Sequence, residues 1–211
     1  MFDIEYKGGN GLVISTKKMT ALIDPKLSVF GAKDLSVKGG LEIATEARFA
    51  TNDAEAQLRV EGPGEYEIGP FSVKGVSATR HLDTSADEML STIYRIEVGD
   101  VRIALIGNIA PKLTDEQLEE IGIVDIAIVP IGGNGYTLDA TSATAVIRQL
   151  DPKAVIPTSY ADSGLKYEVP QDELATFTQE LGAPVETVSK YKVKSASALP
   201  ATLTVIEVTR S

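Results

Sequence analysis

The most regular pattern of apolar and polar positions lies between residues 122 and 160, where it predicts one β-α-β unit. Residues 125–130 are apolar and largely β-branched after Asp125, as in a strand covered on both faces. Residues 131–138 follow, with glycines at 132, 133 and 135 that let the backbone turn sharply at the carboxyl end of that strand. Asp139 stands where it caps a helix, and Ala143, Val146, Ile147 and Leu150 then fall on one stripe. Asp151 and Pro152 end that helix. The next strand, 154–157, runs into Thr158, Ser159 and Tyr160. Two polar loops therefore leave neighbouring strands at the same sheet edge, where α/β layers hold ligands.

The first half of the chain reads as strands. Ile4 with Tyr6, residues 12–14 and residues 21–23 suggest an antiparallel meander. Residues 41–49, 57–60 and 71–76 read as further strands, and 91–98 with 101–106 as a hairpin over Gly99 and Asp100. The polar stretch 80–87 reads as a loop. Thr114 with Gln117 fits a capping box for a short helix stopping at Gly122. Residues 170–181 read as a helix with Leu174, Phe177 and Leu181 inward, and 203–208 as a last strand. Lys190, Lys192 and Lys194 alternate as one solvated strand face. Meanders followed by helices, in two similar halves, predict an α/β protein of αββα sandwich type, with residues 1–211 forming a single domain.

Composition narrows the chemistry. A chain of 211 residues, 43% hydrophobic, can bury a sizeable core, and the absence of an 18-residue apolar run argues against a membrane partner. The first residues lack a basic region followed by an apolar run, so a cytoplasmic protein is expected. With no cysteine, disulfides, thiolate metal sites and a cysteine nucleophile are excluded. A net charge of -10 sets the chain against nucleic acid. The most restrictive count is the single histidine, His81, because a zinc enzyme without cysteine usually uses two or three imidazoles.

Five phrases carry a family resemblance: Leu22, Ile23, Asp24 and Pro25 after a hairpin; residues 62–68 before a strand; residues 104–108, ending in Gly107 and Asn108; residues 129–133, ending in paired glycines; and Val155, Ile156 and Pro157. In this order, spanning nearly the whole chain, they resemble the metallo-β-lactamase superfamily, specifically its small hydrolase branch that looks like ascorbate-phosphate lactonase. The resemblance implies one or two divalent metals. They would be held by an H-x-H-x-D-H motif after a strand, a third histidine, a bridging aspartate and a final histidine, which together make a bound water acidic.

Laid onto this chain, that motif falls on residues 45–51. Glu46 and Arg48 then replace the first two histidines, and Ala50 and Thr51 replace the aspartate and histidine. His81 falls near the third histidine, Asn108 at the bridging aspartate and Ser159 at the final histidine. Asn134 stands where a histidine often follows the paired glycines. Asp24 is expected to support neighbouring loops, as in the family. A guanidinium at position 48 stays protonated, cannot donate a lone pair, and puts positive charge where a cation would sit.

Plainer readings stand beside these. His81 reads as a loop histidine bonded to backbone or water; a one-histidine site would need oxygens from Glu46, Asp83 or Glu65. Glu46 and Arg48, two apart, would share one face of a strand and could pair to fill the emptied metal cavity. The glycines at 132, 133 and 135 read as turn formers rather than a phosphate cradle. Ser159 has no nucleophile elbow around it. The expected function is that of a degenerate member without cofactor, a binding or structural protein with a remodelled cleft. The rival is a zinc- or manganese-dependent hydrolase of a small ester, lactone or phosphorylated sugar. A small-molecule ligand or a protein partner, another copy of the chain included, is expected in the first case.

Overall fold

A computed structural model describes residues 1–51, 55–81 and 90–211. The expected meander forms as β1 (Phe2–Gly8), β2 (Gly11–Thr16) and β3 (Thr20–Ile23), all antiparallel. Alternation in β1 puts Phe2, Ile4 and Tyr6 inside and leaves Asp3, Glu5 and Lys7 half-exposed. Two short strands, β4 (Leu41–Ile43) and β5 (Leu58–Val60), then add in parallel.

A second sheet begins with β6 (Gly64–Ile68) and β7 (Phe71–Thr79) and continues through the hairpin of β8 (Leu90–Val98) and β9 (Val101–Leu105). Helix α1 (Asp115–Ile121) starts on the expected capping box: Thr114 Oγ1 accepts from the Gln117 amide, and Gln117 Oε1 from the Thr114 amide. The β-α-β unit follows as β10 (Ile126–Pro130), α2 (Ala140–Leu150) and β11 (Ala154–Thr158), with β10 and β11 parallel. Asp139 caps α2 through the Ser142 amide. Helix α3 (Leu174–Leu181) precedes β12 (Val185–Val188), β13 (Tyr191–Val193) and β14 (Thr204–Val208).

The six-stranded sheet runs β13-β1-β2-β3-β4-β5 and the eight-stranded sheet runs β12-β14-β11-β10-β9-β8-β7-β6. One core fills the space between them, with Tyr6, Leu12, Ile23 and Ile43 meeting Tyr94, Ile103, Ile128 and Ile156. A second lies between the eight-stranded sheet and the helices, where Ile121, Val146, Ile147, Phe177 and Leu181 cover Ile93, Ala127, Val129 and Val155. Burying both faces of β10 and β11 is why they read as continuous apolar runs.

Three expectations shift. Residues 41–49 do not form one strand: β4 stops at Ile43, and a 3-10 turn occupies Ala47–Phe49. Residues 170–173 are not helical, because the Asp172 amide donates to Gly132 O and its carbonyl accepts from Ala161, which ties this segment to the glycine loop. Strands β6 and β12 fall where no strand was expected. Of the alternating lysines only Lys192 lies in a strand, β13; Lys190 and Lys194 flank it, and Lys190 reaches Glu5 at 2.6 Å.

Candidate functional site

The site forms where β4 ends. Asp24, at the end of β3 and with a left-handed backbone, is fully buried, and its two oxygens accept the Thr45 amide and hydroxyl, each at 2.7 Å. Burial pushes its carboxyl up to about 7, the two Thr45 bonds opposing and the nearby Glu46 charge adding. Glu42 on β4, also buried, holds the other end of the loop, accepting the Thr51 amide at 2.6 Å and its hydroxyl at 2.8 Å. Residues 45–51 are thus pinned at both ends by carboxylates of their own chain.

Glu46 lies between those pins and is buried. Its Oε1 accepts from Asn108 Nδ2 at 2.8 Å and from Arg48 Nη2 at 3.4 Å. Its Oε2 accepts from Arg80 Nη1 at 3.0 Å and lies 2.9 Å from Arg48 Nε, an ion-pair contact too bent for a hydrogen bond. The expected Glu46 to Arg48 pair therefore exists, but on a 3-10 turn rather than a strand. The guanidinium of Arg48 is stacked between two rings, 4.5 Å from the centroid of Phe49 and 4.7 Å from that of Tyr136. Burial raises the Tyr136 hydroxyl to about 12, against the opposing pull of the Arg48 charge.

Asn108 reaches Glu46 because the chain before it comes very close to Thr45. A Cβ on Gly107 would lie 2.9 Å from Thr45 Cβ, and Gly107 has a φ of 64°, so only glycine suits the position. The end of β7 runs beside the same segment: Ala110 donates to Thr79 O at 2.8 Å and His81 to Asn108 O at 3.1 Å, which sets Arg80 against Glu46. His81 is half-buried. Burial holds its imidazole below the ordinary value, with Asp139 opposing. Asn108 Oδ1 and His81 Nδ1 are buried without a hydrogen-bond partner among the described residues.

Of the residues picked out from the sequence, Glu46, Arg48 and Asn108 meet directly, His81 touches Asn108 through its backbone, and Asp24 supports Thr45. Asn134 stays with the glycine loop, where its Nδ2 donates to Asp172 Oδ1 at 3.2 Å. Ser159 is buried and donates to Asn10 Oδ1 at 2.6 Å, while its amide donates to Gly9 O. No described hydrogen bond joins Asn134 or Ser159 to Glu46. Glu65 is exposed on β6, in a separate groove with Glu67, Lys74 and Arg95. Asp83 lies outside the described residues. In the glycine loop, the Gly133 amide is taken by Leu138 O and Thr137 Oγ1, consistent with a turn. Arg80, Tyr136 and Asn10 were not anticipated. Of these only Arg80 had a local signal, its place beside His81.

A divalent cation is the group such a fold implies, and the described residues do not fit one. Both oxygens of Glu46 are engaged by guanidinium or amide donors, and Asn108 directs its amide nitrogen at the carboxylate. Two guanidinium groups bring positive charge to the place where a metal would need donors. Among the described residues, no group of three histidine, aspartate or glutamate side chains could hold a metal ion.

Residues 3–159 match the family model of a β-lactamase superfamily domain. The fold is similar to that of a proposed zinc-dependent hydrolase of the metallo-β-lactamase superfamily from Thermotoga maritima, with a TM-score of 0.74 and 19% identity, covering 99% of this chain and 100% of that one. A proposed metal-dependent hydrolase from Parabacteroides distasonis gives a TM-score of 0.65 at 14% identity, covering 99% of this chain and 94% of that one. A metallo hydrolase from the archaeon Ignicoccus hospitalis gives 0.63 at 16%, covering 92% and 99%. At these identities the likeness carries the fold alone. No protein of curated function matches the sequence. None of these three structures is described as an ascorbate-phosphate lactonase, so the assignment rests at the level the family model and the two-sheet architecture share: the chain belongs to the metallo-β-lactamase superfamily.

Proposed function

We propose that this chain is a non-catalytic member of its superfamily, a cytoplasmic binding protein whose cleft is remodelled around the Glu46 cluster. The observation that carries the reading is the state of Glu46. Its carboxylate is engaged by Arg48, Arg80 and Asn108 at once, with no oxygen left over for a cation. The two pins on residues 45–51 support it, because they hold the loop by contacts within the chain. Recognition of a small molecule, or of a protein that includes a second copy of the chain, then falls to side chains at the cleft mouth.

The test is metal content by elemental mass spectrometry, on tag-free protein purified without chelator and incubated with zinc and manganese. The expected stoichiometry is near zero, with a melting temperature that neither ion raises. Stoichiometry near one would overturn the proposal and favour the rival, a metal-dependent hydrolase of a small ester, lactone or phosphorylated sugar. The descriptions of the structural relatives as hydrolases favour that rival.

A further inference from the structure

The Glu46 charge is divided between two guanidiniums, and Arg48 also meets an exposed carboxylate outside the cluster. Its Nε and Nη2 are turned to Glu46, while Nη1 meets Glu168 Oε2 only at 3.9 Å, the limit of an ion pair. Glu168 itself is 69% exposed, on the segment between β11 and α3. The ring faces of Phe49 and Tyr136 fix the plane of the guanidinium. Its fork is therefore held in one orientation before any ligand arrives, so little side-chain entropy remains to be lost on binding. A planar fork with one edge committed and the other lightly held by an exposed carboxylate matches the geometry of a two-oxygen anion.

Resting on the non-catalytic reading of the cleft, we infer that the outward edge of Arg48 binds a small oxyanion, a carboxylate or a phosphate, which takes the place of Glu168. Glu168 acts as an internal stand-in: it shields the guanidinium when no ligand is bound and swings into solvent when one is. The half-buried ring of Tyr136 borders the approach, while Phe49, fully buried, backs the guanidinium from inside. Arg48 and Glu46 hold each other, so binding draws on a guanidinium that is already in place.

Inorganic phosphate and acetate serve as the two probes, titrated into tag-free protein at constant ionic strength against chloride. Binding is followed by the NMR shifts of the Arg48 side-chain NH groups and the Tyr136 ring, and each variant is checked by its thermal melt. Binding of either probe is expected, and the stronger probe identifies the class. Glu168→Gln removes a competing charge from an exposed position and should tighten binding about threefold to tenfold. Arg48→Lys keeps the charge and loses the fork, and should weaken binding about tenfold or more. No shift beyond the chloride control overturns the inference, as does binding that neither variant alters. Elemental analysis of the same samples separates the two proposals. Absent oxyanion binding with metal near zero removes only this one, while metal near one per chain removes the reading beneath it.

Discussion

Asp24 grips Thr45 twice, taking its amide and its hydroxyl at 2.7 Å each, one residue before Glu46. Glu42 repeats the arrangement with Thr51 at the other end of the loop. Between these holds, Glu46 gathers Arg48, Arg80 and Asn108. Three acidic side chains thus fix one short loop, but only Glu46 pairs with arginines of its own cluster at close range. Glu42 has Arg59 at 3.6 Å, whereas Asp24 has no ion pair within 4.0 Å among those described.

Burial makes Asp24 sensitive to pH. Its folded value, about 7, lies above the roughly 3.9 of an unfolded aspartate. The native state therefore holds the proton more tightly. The contribution is complete below the unfolded value and is lost as pH rises toward 7, on the order of a few kcal/mol at most. Asp125 and Asp139 act in the opposite sense. Burial opposes the Arg102 bonds that hold the Asp125 carboxyl low, and the Ser142 amide holds Asp139 low, so both lose their stabilisation as pH falls. Urea unfolding of wild type and Asp24→Asn between pH 4 and pH 8 isolates the Asp24 part. The difference between the two curves should slope between pH 4 and 7, and a flat difference would refute the assignment.

Much of this fold is visible in local pattern, and the parts that are not follow from contacts between distant residues. The capping box at Thr114, the Asp139 cap and the apolar runs of β10 and β11 need only neighbours in sequence, and each forms as expected. The 170–173 stretch looks helical locally, but a backbone bond from Asp172 to Gly132 decides its path. In the candidate site, Glu46, Arg48 and Asn108 are legible because they fall in a recognisable order. Arg80 is 34 residues from Glu46, and Tyr136 comes to Arg48 from the glycine loop, so no spacing rule could pair them. Asn134 and Ser159 show the converse: picked out by the same order, they bond to Asp172 and Asn10 instead.

Gly132→Ala tests the docking of Gln171 and Asp172 onto the glycine loop. An added Cβ would sit 2.1 Å from Ser159 O and 2.1 Å from Gln171 Oε1. The glutamine can swing away, but the Ser159 carbonyl is backbone whose own amide is bonded to Gly9. The loop has to shift, and a loss of about 1–3 kcal/mol is expected in chemical unfolding. Gly62→Ala, like Gly132 without a positive φ but with open space around it, gives the comparison without collision.

His81→Ala should change little. The bond that ties this residue to Asn108 comes from its backbone amide, which alanine keeps. The ring nitrogen it removes is buried without a described partner, so no described hydrogen bond is lost. A change within about 0.5 kcal/mol is expected at pH 8. The pH profile carries a further check. Because burial depresses the imidazole, wild type loses stability as pH falls below about 6.5, and the variant lacks that loss. A large effect at pH 8 would show that His81 does more than close a turn.

Glu46→Gln strikes the centre of the site. Glutamine keeps the shape and one carbonyl oxygen, so the Asn108 bond can survive, but Arg48 and Arg80 lose the buried charge that they share. Removing one member of a buried ionic cluster costs about 3–5 kcal/mol, and the partial solvent access of both arginines puts this case near the lower end. A double-mutant cycle with Arg48→Met separates charge from packing. If Glu46 chiefly balances the two guanidiniums, the glutamine change costs less once Arg48 is gone, with a coupling of about 1–3 kcal/mol. The same substitution removes one of the charges that raise Asp24, so the slope assigned to Asp24 should move to lower pH. Additive effects of the two changes, together with an unmoved pH profile, would mean that Glu46 is a spacer rather than the counter-charge of the cluster.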